Sequence, residues 1–166
     1  RDKGFDHSTI GAASCVMGAS KILGLSPEQM VQAVNLSVAS NVTLGQTRVG
    51  ALSMWKGCAM ANASRNAVFA ALLAKEGMTG PGPVFEGRYG FFKAVTGAFN
   101  LAEFGGNGRI FRIADVMIKP YPCGQFSQTA IDAAIKVRPK ISSIGEIKEV
   151  IIGASAVAIK VMAGDV

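Results

Sequence analysis

The stretch from Met54 to Glu76 limits the fold more than any other part of the chain. It is rich in Ala and Leu, contains no proline, and is followed by Gly77 with Pro81 beyond. Such a run reads as one long helix that a glycine stops and a proline keeps from resuming. Gly57, Ala59, Ala61, Ala63, Ser64, Ala67 and Ala71 are small, which predicts burial on several sides. A helix of this kind draws its stability from packing rather than from its own hydrogen bonds, so it calls for helical partners.

Two earlier stretches supply them. Residues 8–24 carry Ile10, Ala13, Val16, Met17 and Ile22 near the helical period. Gly11, Ala12, Ser14, Gly18 and Ala19 in the same span are small, which predicts close approach of neighbouring backbones. His7, Ser8 and Thr9 are expected to provide the capping oxygens, and Gly24 the stop. Ser26-Pro27-Glu28-Gln29 is a strong helix start, with Ser26 as N-cap, Pro27 at the first helical position and Gln29 closing a capping box. That helix is expected to reach about Ala39, with Met30, Val31, Val34, Leu36 and Val38 as its apolar set. Residues 41–53 read as a loop containing Arg48.

The character of the chain changes after Gly80. Pro81, Pro83, Gly87, Gly90, Gly97, Gly105, Gly106 and Gly108 mark a turn-rich connection, with short helical pieces around Phe91–Val95 and Leu101–Phe104. Val116-Met117-Ile118-Lys119 reads as a strand closed by Pro120 and Pro122, Ser127 to Val137 as a helix, and Lys148–Ile152 as a second strand. The fold class expected is mostly α. A helical portion covers residues 1–105, and the start of a smaller α/β unit covers 106–166.

Charge and composition then narrow the function. Lys and Arg number 17 against 11 Asp and Glu, a net charge of +6. The basic residues are scattered, and the densest cluster (Lys136, Arg138, Lys140) has no aromatics interleaved. That argues against a nucleic-acid partner, which would need stacking platforms in a basic groove. No apolar run reaches the roughly 18 residues of a membrane span. Scattered charge of this kind reads first as solvated surface; an anionic small molecule is the next reading and a nucleic acid the last. Hydrophobic residues make up 49% and charged residues 17%, which excludes a disordered chain. The same imbalance predicts contact with another segment or subunit, and reads as a piece of a larger protein. Cys15, Cys58 and Cys123 form no CxxC pair and lack metal-ligand spacing. They are expected to be reduced thiols in a cytoplasmic setting, with no metal and no iron–sulfur cluster.

Three side chains offer acid/base or cationic chemistry. His7, in Gly4-Phe5-Asp6-His7-Ser8-Thr9, is the single histidine, the residue type that titrates near neutrality. Its place at a helix start would put backbone N–H groups near a bound anion. Lys56, in Ser53-Met54-Trp55-Lys56-Gly57 at the start of the long helix, reads either as a partly desolvated lysine or as one that snorkels to solvent. Lys119 stands in Ile118-Lys119-Pro120-Tyr121-Pro122, where two prolines stiffen the turn that carries it. Arg48 is a weaker candidate, for bidentate grip of a carboxylate, and Arg88 is weaker still.

Taken together in order, Gly4-Phe5-Asp6-His7, Gln46-Thr47-Arg48, Ser53-Met54-Trp55-Lys56-Gly57, Gly77-Met78-Thr79-Gly80-Pro81, Phe85-Glu86-Gly87, Lys119-Pro120-Tyr121-Pro122 and Ser127-Gln128-Thr129-Ala130 resemble the MmgE/PrpD family. That family includes 2-methylcitrate dehydratase and cis-aconitate decarboxylase. The resemblance implies a middle stretch of a longer enzyme: later helices of a large helical domain, then the start of an α/β lid. It implies a hydro-lyase of propionate metabolism, acting on a small tricarboxylate by acid/base elimination without cofactor, in a homodimer. It also implies that His7, Lys56 and Lys119 line the active site. Many relatives carry a histidine where this chain has Phe126. Decarboxylation or epimerisation of a related acid is the alternative within the enzyme class. A non-catalytic helical assembly module is the alternative outside it.

Overall fold

The computed structural model describes residues 3–101, 108 and 110–162. It is mostly helical. The chain forms two compact units, Arg1–Leu101 and Ala102–Val166.

The first unit is built on three long helices: α1 (Ser8–Ile22), α2 (Pro27–Ser40) and α3 (Trp55–Lys75). Each ends or begins where its local chemistry dictates. At Ser26 the capping box forms in both directions: the hydroxyl accepts the Gln29 N–H, and the Gln29 side chain accepts the Ser26 N–H. α1 closes with Gly24 at φ +69°. There the Leu25 N–H donates to Ser20 O and the Gly24 N–H to Lys21 O, the paired bonds of a Schellman stop. α3 ends the same way around Gly77, with Met78 N–H on Leu73 O and Gly77 N–H on Ala74 O.

The three helices pack through small side chains. Ser8, Thr9, Ala12, Val16 and Ser20 of α1 are buried, as are Ala33, Ser37 and Val38 of α2. α3 contributes Ala59, Ala63, Ala67, Ala70, Ala71 and Ala74. α1 and α3 run parallel in the same register: a Cβ at Gly11 would meet the Met60 thioether, and Cys15 Sγ lies 3.4 Å from Ser64 Oγ. α2 runs against both, its Ser37 Oγ donating to Ala12 O and its Gln29 side chain to Lys75 O at the far end.

This packing departs from the sequence expectation in an informative way. Ile10 and Ile22 of α1, and Val31 of α2, face outward although they were expected in the apolar faces. Close backbone approach selects small residues for the contact stripe, and the bulkier side chains are turned away from it. α3 is likewise buried along one stripe rather than on several sides, and Phe69 on its opposite face is 61% exposed. Capping of α1 differs too. His7 is the N-cap but makes no side-chain cap bond, and Thr9 turns its hydroxyl to the backbone of Thr43. The cap oxygen is the carboxylate of Asp6, which accepts the Ser8 N–H.

Beyond α3 the chain folds back on α2. The Gly80 N–H donates to the Gln32 side chain, and a Cβ at Gly80 would lie 2.6 Å from that of Asn35. Phe85, Phe91, Phe92 and Phe99 form a chain of ring contacts, with Phe85–Phe91 centroids 5.9 Å apart. A single π-helical turn at Phe92–Thr96 stands where a short helix was expected. The piece expected at Leu101–Phe104 lies, after Leu101, outside the described residues.

The second unit carries α4 (Gln128–Val137), as expected from the sequence, and α5 (Ala156–Met162). The strands expected at 116–119 and 148–152 do not form: both segments are irregular and unpaired among the described residues. Their apolar residues meet the pattern of a strand, yet a strand exists only against a partner with free N–H and C=O groups. Ile118 is 88% exposed and Ile151 83% exposed. The one β pairing among the described residues is an isolated antiparallel bridge, Phe5 to Leu44.

Candidate active site

The segment ahead of α1 is fixed by residues about 40 positions later. Gly45 N–H donates to Gly4 O at 2.6 Å, and Asp6 N–H donates to Thr43 O at 2.8 Å. The chain then makes a short 3-10 turn, Gly45–Arg48, which delivers the Arg48 side chain to Asp6. Asp6 is buried, and its carboxylate accepts four hydrogen bonds. Arg48 Nε donates to Oδ2 at 2.5 Å, and Nη2 donates to Oδ1 at 3.3 Å. The Ser8 N–H and hydroxyl also donate to Oδ1, at 3.0 and 2.6 Å. His7 stands beside this knot. Its Nδ1 is 3.4 Å from Asp6 Oδ2, and its Nε2 is 3.4 Å from Arg48 Nη2.

Burial pushes the Asp6 carboxyl up, but the hydrogen bonds from Arg48 and Ser8 and the nearby His7 outweigh it and hold the group well below the usual carboxylate range. A folded-state value below the unfolded one means that the charged form stabilises the fold. That contribution is full above about pH 4 and is lost as pH falls from there toward the folded value. In chemical denaturation, the stability gap between wild type and Asp6→Asn is therefore expected to be full at pH 7 and to narrow below about pH 4. A gap that is constant across this range would contradict the assignment.

A cleft of about 350 Å³ opens here, lined by Lys3, Phe5, Asp6, His7, Ile10 and Thr96 among others. His7 presents an exposed side chain to it, and Lys3 brings a cation that the sequence reading did not select. Lys3 Nζ donates to Lys93 O at 3.1 Å, a long-range tie with no signal in the local sequence. A second cleft of about 380 Å³ lies between Thr43, Gln46, Thr47, Ser53, Trp55 and Asn62.

The structure thus brings His7 and Arg48 together around Asp6. Lys56 lines neither cleft and is exposed rather than partly desolvated. The reason is its place: it sits in the first turn of α3, one turn before the buried alanine stripe begins at Ala59. It nevertheless continues that stripe, since residues 56, 59, 63, 67, 70 and 74 share one helix face. The parallel register of α1 and α3 adds a second constraint. Gly11 meets Met60 and Cys15 meets Ser64 at the same separation of 49 residues. Counted back one turn on both helices, that separation sets Lys56 level with His7.

Two expectations need correction. The first-turn N–H groups of α1 are not free for an anion. Ser8 donates to the Asp6 carboxylate, Thr9 to Asp6 O, and Ile10 and Gly11 to His7 O. The Arg48 fork, expected to grip a substrate carboxylate, is taken by Asp6. Arg88 is exposed, with its guanidinium 5.2 Å from the Tyr89 ring centroid. Lys119 belongs to the second unit and is exposed. The turn that carries it is clamped by buried Gln128, which accepts the Tyr121 N–H and donates to Tyr121 O, both at 3.0 Å.

No group of three or more His, Cys, Asp or Glu side chains able to hold a metal ion occurs among the described residues. Cys15, Cys58 and Cys123 are unbridged. No described helix is long and apolar enough to cross a membrane.

Residues 1–103 match the MmgE/PrpD N-terminal domain. The chain belongs to the MmgE/PrpD family. The family is one of hydro-lyase-like enzymes. In this MmgE/PrpD chain the matched span contains the three-helix unit with His7, Arg48, Lys56 and Arg88, whereas Lys119 lies beyond it. No solved structure is significantly similar to the chain.

Proposed function

We propose that this chain contributes half of the active site of a 2-methylcitrate dehydratase-like hydro-lyase. The observation that carries the reading is the Asp6–His7–Arg48 cluster at the rim of a cleft, inside the span that matches the family. Elimination of water from a hydroxy-tricarboxylate breaks a C–H bond beside a carboxylate and a C–O bond on the next carbon, and forms a C=C bond. His7 takes the proton and returns it to the departing oxygen, so that the hydroxyl leaves as water. Lys56 and Lys119 hold carboxylates and stabilise the enolate-like charge that builds as the C–H bond breaks. The α1–α3 register puts Lys56 at the same axial level as His7, which supports its part in this arrangement. Arg88 is assigned a lesser role in drawing the anion in. The reaction is read as cofactor-free.

A homodimer is part of the proposal. Val68, Phe69 and Leu72 on the outer face of α3 are large, apolar and exposed, which is surface of the kind that subunits cover. The three unbridged thiols support a cytoplasmic setting.

The test uses the polypeptide encoded by the complete reading frame that contains this chain. With 2-methylcitrate it is expected to produce a carboxylate-conjugated alkene, followed by ultraviolet absorbance, with no release of carbon dioxide. Carbon dioxide release from cis-aconitate, or inversion of a stereocentre without an alkene, would replace dehydration by one of those reactions. No turnover of any tricarboxylate would sink the enzymatic reading.

A further inference from the structure

The site holds one buried carboxylate to which the proposed elimination gives no task. Asp6 is 5% exposed. Its oxygens accept from Arg48 Nε and Nη2 and from the Ser8 N–H and hydroxyl, and its own N–H is bound to Thr43 O. A carboxylate held from so many directions cannot swing to meet a substrate. What it does face is the imidazole: Oδ2 lies 3.4 Å from His7 Nδ1.

The two neighbours of the ring select one proton arrangement. A guanidinium has donors and no acceptor, so His7 Nε2, 3.4 Å from Arg48 Nη2, can interact with it only as an acceptor. An ionised carboxylate has acceptors and no donor, so Nδ1 can interact with Asp6 only as a donor. A neutral ring that satisfies both carries its proton on Nδ1 and its lone pair on Nε2.

We propose that Asp6 is the positioning residue of His7: together with Arg48 it fixes the Nδ1–H tautomer and makes Nε2 the atom that accepts a proton once a substrate displaces its long contact with Arg48 Nη2. What that atom then does rests on the dehydratase reading above, but the tautomer does not.

The chain has a single histidine, so ¹⁵N spectra of imidazole-labelled protein report this ring alone. Recorded about two units above the ordinary imidazole value of about 6.5, the wild type is expected to show mainly the Nδ1–H form. Asp6→Asn is expected to move the population toward Nε2–H. In the complete enzyme the same variant is expected to lower kcat by about 10- to 100-fold while KM changes less than about threefold, the size of effect seen when a partner that orients a histidine is removed. A merely structural Asp6 would lower the amount of folded enzyme and leave the tautomer and kcat per folded molecule unchanged. A wild-type spectrum dominated by Nε2–H overturns the proposal, and this holds even if Asp6→Asn fails to fold. An Asp6→Asn spectrum identical to wild type overturns it too. A tautomer shift with no tricarboxylate turnover in either protein leaves the positioning role standing and removes the dehydratase reading. Turnover with an unshifted tautomer does the reverse.

Discussion

Replacing Lys56 with Ala in the complete enzyme is expected to lower kcat/KM for a tricarboxylate by about 10²-fold or more and to leave the melting temperature unchanged or slightly raised. In the proposed site Lys56 is one of the cations facing the charge that develops, and losing a single oxyanion donor costs about 10²- to 10³-fold. The stability side rests on where the lysine sits. It occupies the second position of α3, whose N-cap Met54 makes no side-chain cap bond and whose first turn has no acidic residue. A cation there opposes the helix dipole by about 0.3–1 kcal/mol, and alanine is the better helix former. The Lys56 ammonium makes no hydrogen bond or ion pair among the described residues. A lysine placed where it costs stability has a reason other than stability. Steady-state kinetics and a thermal melt on the same preparation test both halves. Unchanged turnover, or a melting temperature lowered by more than about 5 °C, would contradict the assignment.

Asp6→Ala is expected to lower the first unit's stability by about 3 kcal/mol. Breaking a buried ion pair by deleting one partner leaves the other charge uncompensated, which costs about 3–5 kcal/mol when both are buried. Arg48 is 26% exposed at its side chain, so water recovers part of that loss and the lower end applies. The fully buried Ser8 also loses the acceptor of its N–H. For a unit of about 100 residues this amounts to a fall of about 12 °C or more in melting temperature. Urea denaturation followed by circular dichroism gives the free energy directly. A loss below about 1 kcal/mol would mean that the Asp6–Arg48 pair is not holding residues 4–9 against 43–48.

The two predictions mark what a reader of the sequence could and could not see. Helix ends were legible because they are decided locally: the Ser26–Gln29 box, Gly24 and Gly77 each act within a few residues. Which side of each helix is buried was legible only in part: of the small residues that mark a close-approach face on α1, Gly11, Ala12 and Ala19 meet the contact, whereas Ser14 and Gly18 are exposed. Periodicity follows large apolar residues such as Ile10 and Ile22, whereas the parallel contact between α1 and α3 selects glycine, alanine and serine. The strands at 116–119 and 148–152 failed for a related reason. β-Branched composition is a local property, and pairing is not.

The site divides along the same line. His7 and Lys56 could be picked out from residue type and neighbourhood. That they share a level follows from a helix register set by Gly11–Met60 and Cys15–Ser64, which only packing reveals. Asp6 was visible as a neighbour of His7, but its role as the centre of the cluster depends on Arg48 arriving from 42 residues away. For the same reason Arg48 was read as a free carboxylate grip. The helix-terminal N–H groups of α1 were read as available because nothing local indicates that Asp6 fills them.

The central claim is that His7 moves the proton in an elimination on a tricarboxylate, and the most direct measurement is the turnover of 2-methylcitrate by His7→Gln in the complete enzyme beside wild type. The histidine side chain is 54% exposed, so the variant is expected to fold and melt like wild type. Its kcat is expected to fall by about 10²- to 10⁴-fold, the usual contribution of a positioned acid/base group. A His7→Gln enzyme that melts like wild type and keeps kcat within about threefold of it would contradict the account.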